Sequence, residues 1–112
     1  MTLAPIVLFV YNRLWHTQQT VEALKKNKLA DQSKLYVYSD GAKNEGTKIE
    51  VQKVREYIKT INGFSEVEII EREHNYGLAN SIIDGVTKVV KNHGKIIVLE
   101  DDLVSGPFFF NS

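Results

Sequence analysis

The chain has 112 residues, of which 43% are hydrophobic and 25% are charged, as expected for a single folded domain rather than a disordered segment. Its 14 Lys and Arg residues are balanced by 14 Asp and Glu residues, which argues against nucleic acid or an anionic membrane surface as the main partner. The absence of cysteine excludes disulfides, thiolate metal ligands and cysteine nucleophiles within the chain, and fits a reducing compartment.

The first apolar run, LAPIVLFVY, is about half as long as a membrane-spanning helix and contains a proline. It therefore predicts a strand, and we expect a protein that is not transmembrane. The expected location is the cytoplasm, with any peripheral membrane attachment made by a part outside this sequence.

Four short apolar segments alternate with three helical patterns, which is typical of an α/β domain with a mostly parallel sheet. The predicted strands are Pro5–Tyr11, Lys34–Ser39, Glu66–Arg72 and Lys95–Glu100, and the predicted helices are Trp15–Asn27, Thr47–Ile61 and Leu78–Val90. The first and fourth strands are continuous apolar runs, as expected for strands covered on both faces, whereas the third alternates, as expected near an edge. With right-handed crossovers, the predicted fold is a Rossmann-like three-layer sandwich with strand order 3-2-1-4.

Polar residues follow every predicted strand, so they are expected at one edge of the sheet, the carboxyl edge, where open α/β sheets bind ligands. These strand ends read Tyr11-Asn12-Arg13, Ser39-Asp40-Gly41, His74-Asn75-Tyr76-Gly77 and Glu100-Asp101-Asp102.

The last of these strand ends places three carboxylates in succession after the apolar run IIVL. Because adjacent carboxylates repel one another, Glu100, Asp101 and Asp102 require cations or hydrogen-bond donors nearby. A divalent cation with oxygen ligands, Mg²⁺ or Mn²⁺, meets this need, and Arg13 is the obvious second counter-charge. Together they describe a site for a diphosphate. The simpler alternative is an acidic cluster that ends a strand and caps the following turn.

Other residues at the same edge give weaker signals. His74 is expected on the surface. Asn75 and Gly77 fit a turn that leads into a helix, with Gly77 needed for its backbone conformation and the lining of a donor site as the alternative role of Asn75. Trp15 is expected to pack against the domain, with a stacking platform for a base as the alternative role, and Tyr11 suits packing and stacking on a nucleobase equally.

The motifs YNR, SDG, HNYGLANSIIDG and IIVLEDDLVSGPFF together resemble the donor-binding half of GT-A-fold glycosyltransferases. The likeness is to family 2-like sugar transferases and, in the EDDL…PFF portion, to N-acetylglucosaminyltransferase I. It covers nearly the whole chain, and its first and last motifs are the most specific.

The resemblance implies a nucleotide-diphosphate sugar as donor, a glycan or glycoconjugate as acceptor, and Mn²⁺ or Mg²⁺ as cofactor. Asp102 would bind the metal, Asp101 would lie toward the ribose or sugar, and Glu100 would complete the acidic motif. Asp40 would hydrogen-bond the base or ribose, and Arg13 would contact the nucleotide or phosphate. Transfer to the acceptor hydroxyl, with inversion, would serve the synthesis of a polysaccharide or glycoconjugate.

In the family that the sequence resembles, the acceptor site and the catalytic base follow the acidic motif, so no base is assigned here. We expect residues 1–112 to be the nucleotide-sugar-binding part of a longer enzyme, inactive alone. The apolar side chains of Phe108–Phe110 are expected to pack against a partner surface. Gly106 and Pro107 are expected to lead into a helix.

Two other classes of protein are alternatives. A sugar-phosphate nucleotidyltransferase needs a glycine-rich loop after the first strand, and YNRLWHT contains no glycine. A response-regulator-like module carries acidic residues after its first strand and a phosphorylatable Asp after its third, whereas here the acids follow the fourth.

Overall fold

A computed structural model describes residues 5–27, 30–93, 95–100 and 108–111, with the backbone alone for 78, 92–93, 95–100 and 108–111. The elements in chain order are β1 (Ile6–Val10), α1 (Leu14–Lys25), a 3₁₀ turn (Ala30–Gln32), β2 (Lys34–Ser39), α2 (Glu45–Ile58), β3 (Glu66–Glu71), α3 (Leu78–His93), β4 (Lys95–Glu100) and β5 (Phe108–Asn111).

The strands form one sheet in which hydrogen-bonded neighbours follow the order β3-β2-β1-β4-β5. The pairs β2–β3, β1–β2 and β1–β4 are parallel, and β5 runs antiparallel to β4. Each parallel strand is separated from the next in sequence by a helix, as the βαβ connection requires. The predicted α/β class is confirmed, and the arrangement is compatible with a Rossmann-like fold.

The core has two layers because successive side chains of β1 point to opposite faces of the sheet. Ile6, Leu8 and Val10 pack in one cluster with Val21 of α1 and with α2. The opposite cluster contains Val7 and Phe9 of β1, together with residues of α3. All five residues of β1 are buried, as the continuous apolar run predicts for a strand covered on both faces. β3 alternates between exposed and half-buried residues, as predicted.

α2 begins two residues before its predicted start because Asn44 caps it. The Asn44 side chain accepts the N–H of Thr47 at 3.1 Å, and the Thr47 hydroxyl oxygen lies 3.3 Å from the N–H of Asn44. This reciprocal capping box satisfies backbone donors at the start of the helix.

The expectation that a helix follows Pro107 is wrong for residues 108–111, which form β5. The run of three Phe residues, Phe108 to Phe110, has high β-propensity and pairs with Val98, Ile97 and Ile96 of β4. Within the described part of the chain, no helix is long and apolar enough to cross a membrane.

Replacing Gly85 with Ala is expected to destabilise the domain. The added Cβ would lie 2.8 Å and 2.9 Å from ring atoms of Phe9 and 3.2 Å from the Tyr38 ring, and these two buried rings stack on each other. Overpacking of this kind costs about 1–3 kcal/mol, against a helix-propensity gain of up to about 1 kcal/mol. We therefore expect a net loss of about 1–2 kcal/mol in the free energy of unfolding, measured by urea denaturation.

The matched control is Thr87→Ala, at an exposed position of the same helix, where Ala removes no contact with this cluster. It should leave the unfolding midpoint unchanged or raise it slightly, because Ala is the better helix former. A Gly85→Ala midpoint at or above that of the parent would contradict close packing of α3 on β1 and β2.

Candidate functional site

A pocket of about 220 Å³ opens at the carboxyl edge of the sheet. Its walls come from the end of β1 and from the loops that follow β1, β2 and β3, with one residue from α3. The lining residues are Phe9, Val10, Tyr11, Asp40, Lys43, Asn75, Gly77 and Ser81. Two apolar residues of β1, Phe9 and Val10, form one side, and residues that carry amide, carboxylate, hydroxyl or ammonium groups form much of the rest, as in small-molecule sites.

The Asp40 carboxylate joins the loop after β2 to the loop after β3. One oxygen, Oδ1, accepts the N–H groups of Gly41 at 2.9 Å and Tyr76 at 2.8 Å. The other, Oδ2, accepts the N–H of Gly77 at 3.1 Å and the side-chain amide of Asn75 at 3.3 Å. Asp40 is only 6% exposed, so its charge is compensated by these four donors rather than by water. Because a carboxylate offers about four acceptor positions, Asp40 is fully occupied.

Two glycines allow these loops to approach each other. A Cβ on Gly41 would lie 2.6 Å from the carbonyl carbon and oxygen of His74, a distance that backbone atoms cannot accommodate. Gly77 has a φ of 79°, in the left-handed region, immediately before α3 begins. The predicted conformational role of Gly77 is confirmed. The Asn75 side-chain amide also donates to the Gly41 carbonyl at 2.9 Å, which closes the contact between the loops.

Tyr11 fixes the opposite wall of the pocket. Its hydroxyl accepts the N–H of Lys43 at 3.0 Å and donates to the Thr47 hydroxyl at 3.3 Å. Half-buried, it connects the end of β1 to the first turn of α2. Tyr11 therefore both holds these segments together and lines the pocket.

Arg72, just after β3, is a buried cation beneath the loop. Its guanidinium lies 4.8 Å from the centroid of the Tyr38 ring and 4.1 Å from that of Tyr76, within the range of cation–π interactions. It donates to the Ser81 hydroxyl at 3.2 Å and pairs with Asp84 at 3.0 Å. Burial raises the pKa of Tyr38, and the Arg72 charge opposes that rise.

Arg55 of α2 holds the ends of β2 and β3 together. Its Nη2 donates to the carbonyls of Ser39 and Asp40, each at 3.2 Å, and to that of Arg72 at 2.7 Å, while Nε donates to the Ser39 hydroxyl at 2.9 Å. These carbonyls lie at the strand ends, where the ladder stops and partners are needed. The side chain is a structural clamp directly below the pocket.

The structure brings Tyr11, Asp40 and Asn75 together around one pocket, among the residues predicted to bind a donor. Arg13 is not in that lining. It is an exposed residue at the start of α1, where its carbonyl accepts the N–H of Thr17 at 2.9 Å.

The acidic triplet lies mostly outside the described residues. The backbone of Glu100 pairs with Phe9, so β4 ends beside the pocket. The predicted donor contact Asp101 and the predicted metal ligand Asp102 fall outside the described ranges. Within those ranges, no group of three or more His, Cys, Asp or Glu residues is placed to hold a metal ion.

Sequence reasoning did not single out Lys43, Ser81, Arg55 or Arg72 for the site. Lys43 lies two residues after SDG, and its position after a strand end was the available signal. Arg55 is one of several cations on a helix, and no spacing distinguishes it from solvated lysines. Its role depends on tertiary contacts.

A scan against protein-family models gave no match, and a search of curated proteins found none of significance.

Replacing Asp40 with Asn is expected to weaken the connection between the two loops. The new amide group would face N–H donors of Gly77 or Tyr76 and leave them without an acceptor, at a cost of about 2–4 kcal/mol. Urea denaturation should show this loss, and hydrogen exchange at the Tyr76 and Gly77 amides should accelerate. Asp31→Asn, an exposed acid in the 3₁₀ turn, is the control and should change neither measurement. Unchanged exchange in Asp40→Asn would contradict the role of the carboxylate.

Asp84 is expected to make stability depend on pH in the acidic range. Hydrogen bonding to Lys88, followed by that to Arg72, lowers the pKa of Asp84 below its ordinary value. A carboxylate whose pKa is lower in the folded state than in the unfolded state stabilises the protein at pH values above its unfolded-state pKa, near 4. This stabilisation is lost as the pH falls through the folded-state pKa. Asp84→Asn should therefore cost about 1–3 kcal/mol at pH 7, because Arg72 is only 4% exposed and loses its counter-charge.

The measurement is urea denaturation of both proteins between pH 7 and pH 2.5. The difference between them should shrink progressively below about pH 4. Asp31→Asn again serves as the control and should follow the parent at every pH. If the difference in the free energy of unfolding between the parent and Asp84→Asn stayed constant down to pH 2.5, the charge of Asp84 would contribute nothing to stability.

Proposed function

We propose that this chain is the donor-binding part of a metal-dependent glycosyltransferase and binds a nucleotide-diphosphate sugar at the carboxyl edge of its sheet. The sequence resemblance to GT-A-fold enzymes motivates the proposal. One observation of the structure carries it further: β1 and β4 are adjacent parallel strands, and β4 ends beside the pocket that Tyr11, Asp40 and Asn75 line.

The proposal follows from where the chain must continue after β4. Glu100 is registered opposite Phe9, and Phe9 lines the pocket. Asp101 and Asp102 are the next two residues in the sequence, and in this proposal their carboxylates act at this edge of the sheet. A diphosphate bridged to them by a cation would occupy the space between the end of β4 and the loop after β1, which begins with Tyr11 and includes Arg13.

The described residues have two kinds of role in this proposal. Asp40 and Asn75 position the loops, because the Asp40 carboxylate already accepts four hydrogen bonds. This differs from the direct contact between Asp40 and a base or ribose that the resemblance implies. Tyr11 and Lys43 line the pocket, and the Lys43 ammonium offers a positive charge to a bound anion.

The metal in this proposal is Mn²⁺ or Mg²⁺, held by Asp102 with Glu100 and Asp101 beside it. Asp40, the described carboxylate in the pocket lining, already accepts four hydrogen bonds, which supports assigning the ligand role to the acidic triplet in this proposal. A bound cation would neutralise the diphosphate leaving group, and Arg13 would add a second positive charge. The glycan or glycoconjugate acceptor, inversion, and a cytoplasmic location belong to the same proposal.

The test is titration calorimetry of the chain with UDP, GDP, dTDP and CDP, each with and without Mn²⁺. We expect at least one nucleotide to bind, with Mn²⁺ increasing its affinity about tenfold or more, equivalent to about 1.4 kcal/mol. In Asp102→Asn the effect of Mn²⁺ should disappear while the unfolding midpoint stays close to that of the parent.

Asp31→Asn is the matched control, since it removes one carboxylate of the same type from an exposed turn outside the pocket. It should retain the full effect of Mn²⁺. The proposal fails if no nucleotide binds in a metal-dependent manner, or if Asp102→Asn and Asp31→Asn behave alike.

A further inference from the structure

Trp15, the single tryptophan of the chain, is 62% exposed at the start of α1. The expectation that it packs against the domain is wrong. Its ring contacts that of His16 edge to face at 5.1 Å, which leaves most of the indole uncovered. A packed tryptophan buries roughly 150–250 Å² and contributes strongly to stability, so an exposed one gives up that contribution.

The exposed indole borders a second concavity, of about 350 Å³, between the start of α1 and the middle of α2. Its lining residues are Asn12, Leu14, Trp15, Gln18, Glu50 and Lys53. It shares no lining residue with the pocket at the carboxyl edge. The volume lies at the lower end of the range of small-molecule sites, roughly 300–1,000 Å³.

The lining combines a flat apolar surface with groups that form directional hydrogen bonds. Trp15 and Leu14 provide the apolar part, and the amides of Asn12 and Gln18 each both donate and accept. A pyranose ring has the complementary character, because one face presents C–H groups while its edge carries hydroxyls that donate and accept. Stacking the C–H face on the indole would bury apolar area and leave the hydroxyls toward the polar groups.

Charge distinguishes this ligand class from the others that stack on tryptophan. Glu50 and Lys53 contribute one negative and one positive charge, so the lining as a whole is neutral. A nucleotide or another polyanion would need positive charge from the lining or from a bound metal ion, and Glu50, the one acidic residue of this lining, supplies too few ligands to hold a metal ion. A protein partner is also disfavoured, because four of the six lining residues are polar or charged, whereas the core of a protein interface is depleted in charged residues.

We propose that the concavity formed by Asn12, Leu14, Trp15, Gln18, Glu50 and Lys53 is a binding site for a neutral carbohydrate, with Trp15 as the stacking platform. This inference does not depend on the proposed donor site. It requires neither nucleotide nor metal, and the two are tested with different ligands.

Because Trp15 is the single tryptophan, all tryptophan emission of the chain comes from this site. The chain is titrated, without nucleotide or metal, with the trisaccharides of N-acetylglucosamine, β-1,4-linked glucose and α-1,4-linked glucose. We expect a saturable change in Trp15 emission with at least one of them. Gln18→Ala should weaken that binding about fivefold, the effect of one lost hydrogen bond.

A second measurement tests the platform itself. Saturation-transfer NMR on the sugar protons does not need the fluorophore, and it should show binding to the parent and none to Trp15→Ala. Ile83→Ala is the matched control, since Ile83 is a similarly exposed apolar residue, at 65%, on α3 outside both pockets. It should bind sugar as the parent does.

The proposal is overturned if no trisaccharide changes the emission saturably, or if Trp15→Ala binds sugar as well as Ile83→Ala does. It is also overturned if the emission depends on protein concentration, with a dimer in sedimentation velocity, and does not respond to sugar. In that case a second copy of the chain covers the indole.

Discussion

The carboxyl edge of this domain depends on one buried carboxylate. Asp40 compensates its charge with four N–H donors that come from the loops after β2 and β3. Such charge-assisted hydrogen bonds are stronger than those between neutral groups, and a buried carboxylate without them would be costly. These hydrogen bonds therefore strongly favour this one arrangement of the two loops. The pocket is a consequence, because the loops that Asp40 joins form its wall.

Two guanidinium groups, the half-buried one of Arg55 and the buried one of Arg72, support that arrangement. Arg55 binds backbone carbonyls at the ends of β2 and β3, and Arg72 lies between the rings of Tyr38 and Tyr76. The planar fork of arginine suits both tasks, since it donates in several directions and stacks on aromatic rings. Lysine, with a single ammonium group, would satisfy fewer of these acceptors. Together the two side chains connect the ends of β2 and β3 with α2, and the loop after β3 with β2.

The sequence predicted the class of fold well because its signal is periodic. Apolar runs and helical spacing mark β2 and β4 to the residue, and they locate the other main elements within a few residues. The predicted helix ends were less accurate. For example, the start of α2 is set by the side-chain cap of Asn44, which hydrophobic spacing does not show. β5 was missed because a run of three phenylalanines has no alternation and resembles an exposed patch.

The site was predictable in position but not in detail. Strand ends identify the edge, and Tyr11, Asp40 and Asn75, which were predicted to lie there, line one pocket; their binding of a donor stays a prediction. Their hydrogen bonds depend on how two loops meet, and this contact spans more than thirty residues of sequence. The exposure of Trp15 was not predicted for the same reason. An aromatic residue near the start of a helix suggests packing, and only the positions of α1 and α2 show that its side chain is exposed.

The two pockets are connected through α2. Tyr11 lines the first pocket and holds the start of this helix through Lys43 and Thr47, while the next residue, Asn12, lines the second. Farther along α2, the same helix supplies Glu50 and Lys53 to the second pocket. α2 is anchored by buried side chains on its inner face, so the positions of both pocket walls are fixed by the same core contacts. Substitutions that loosen this core should therefore affect both pockets, whereas changes to lining side chains should affect only one.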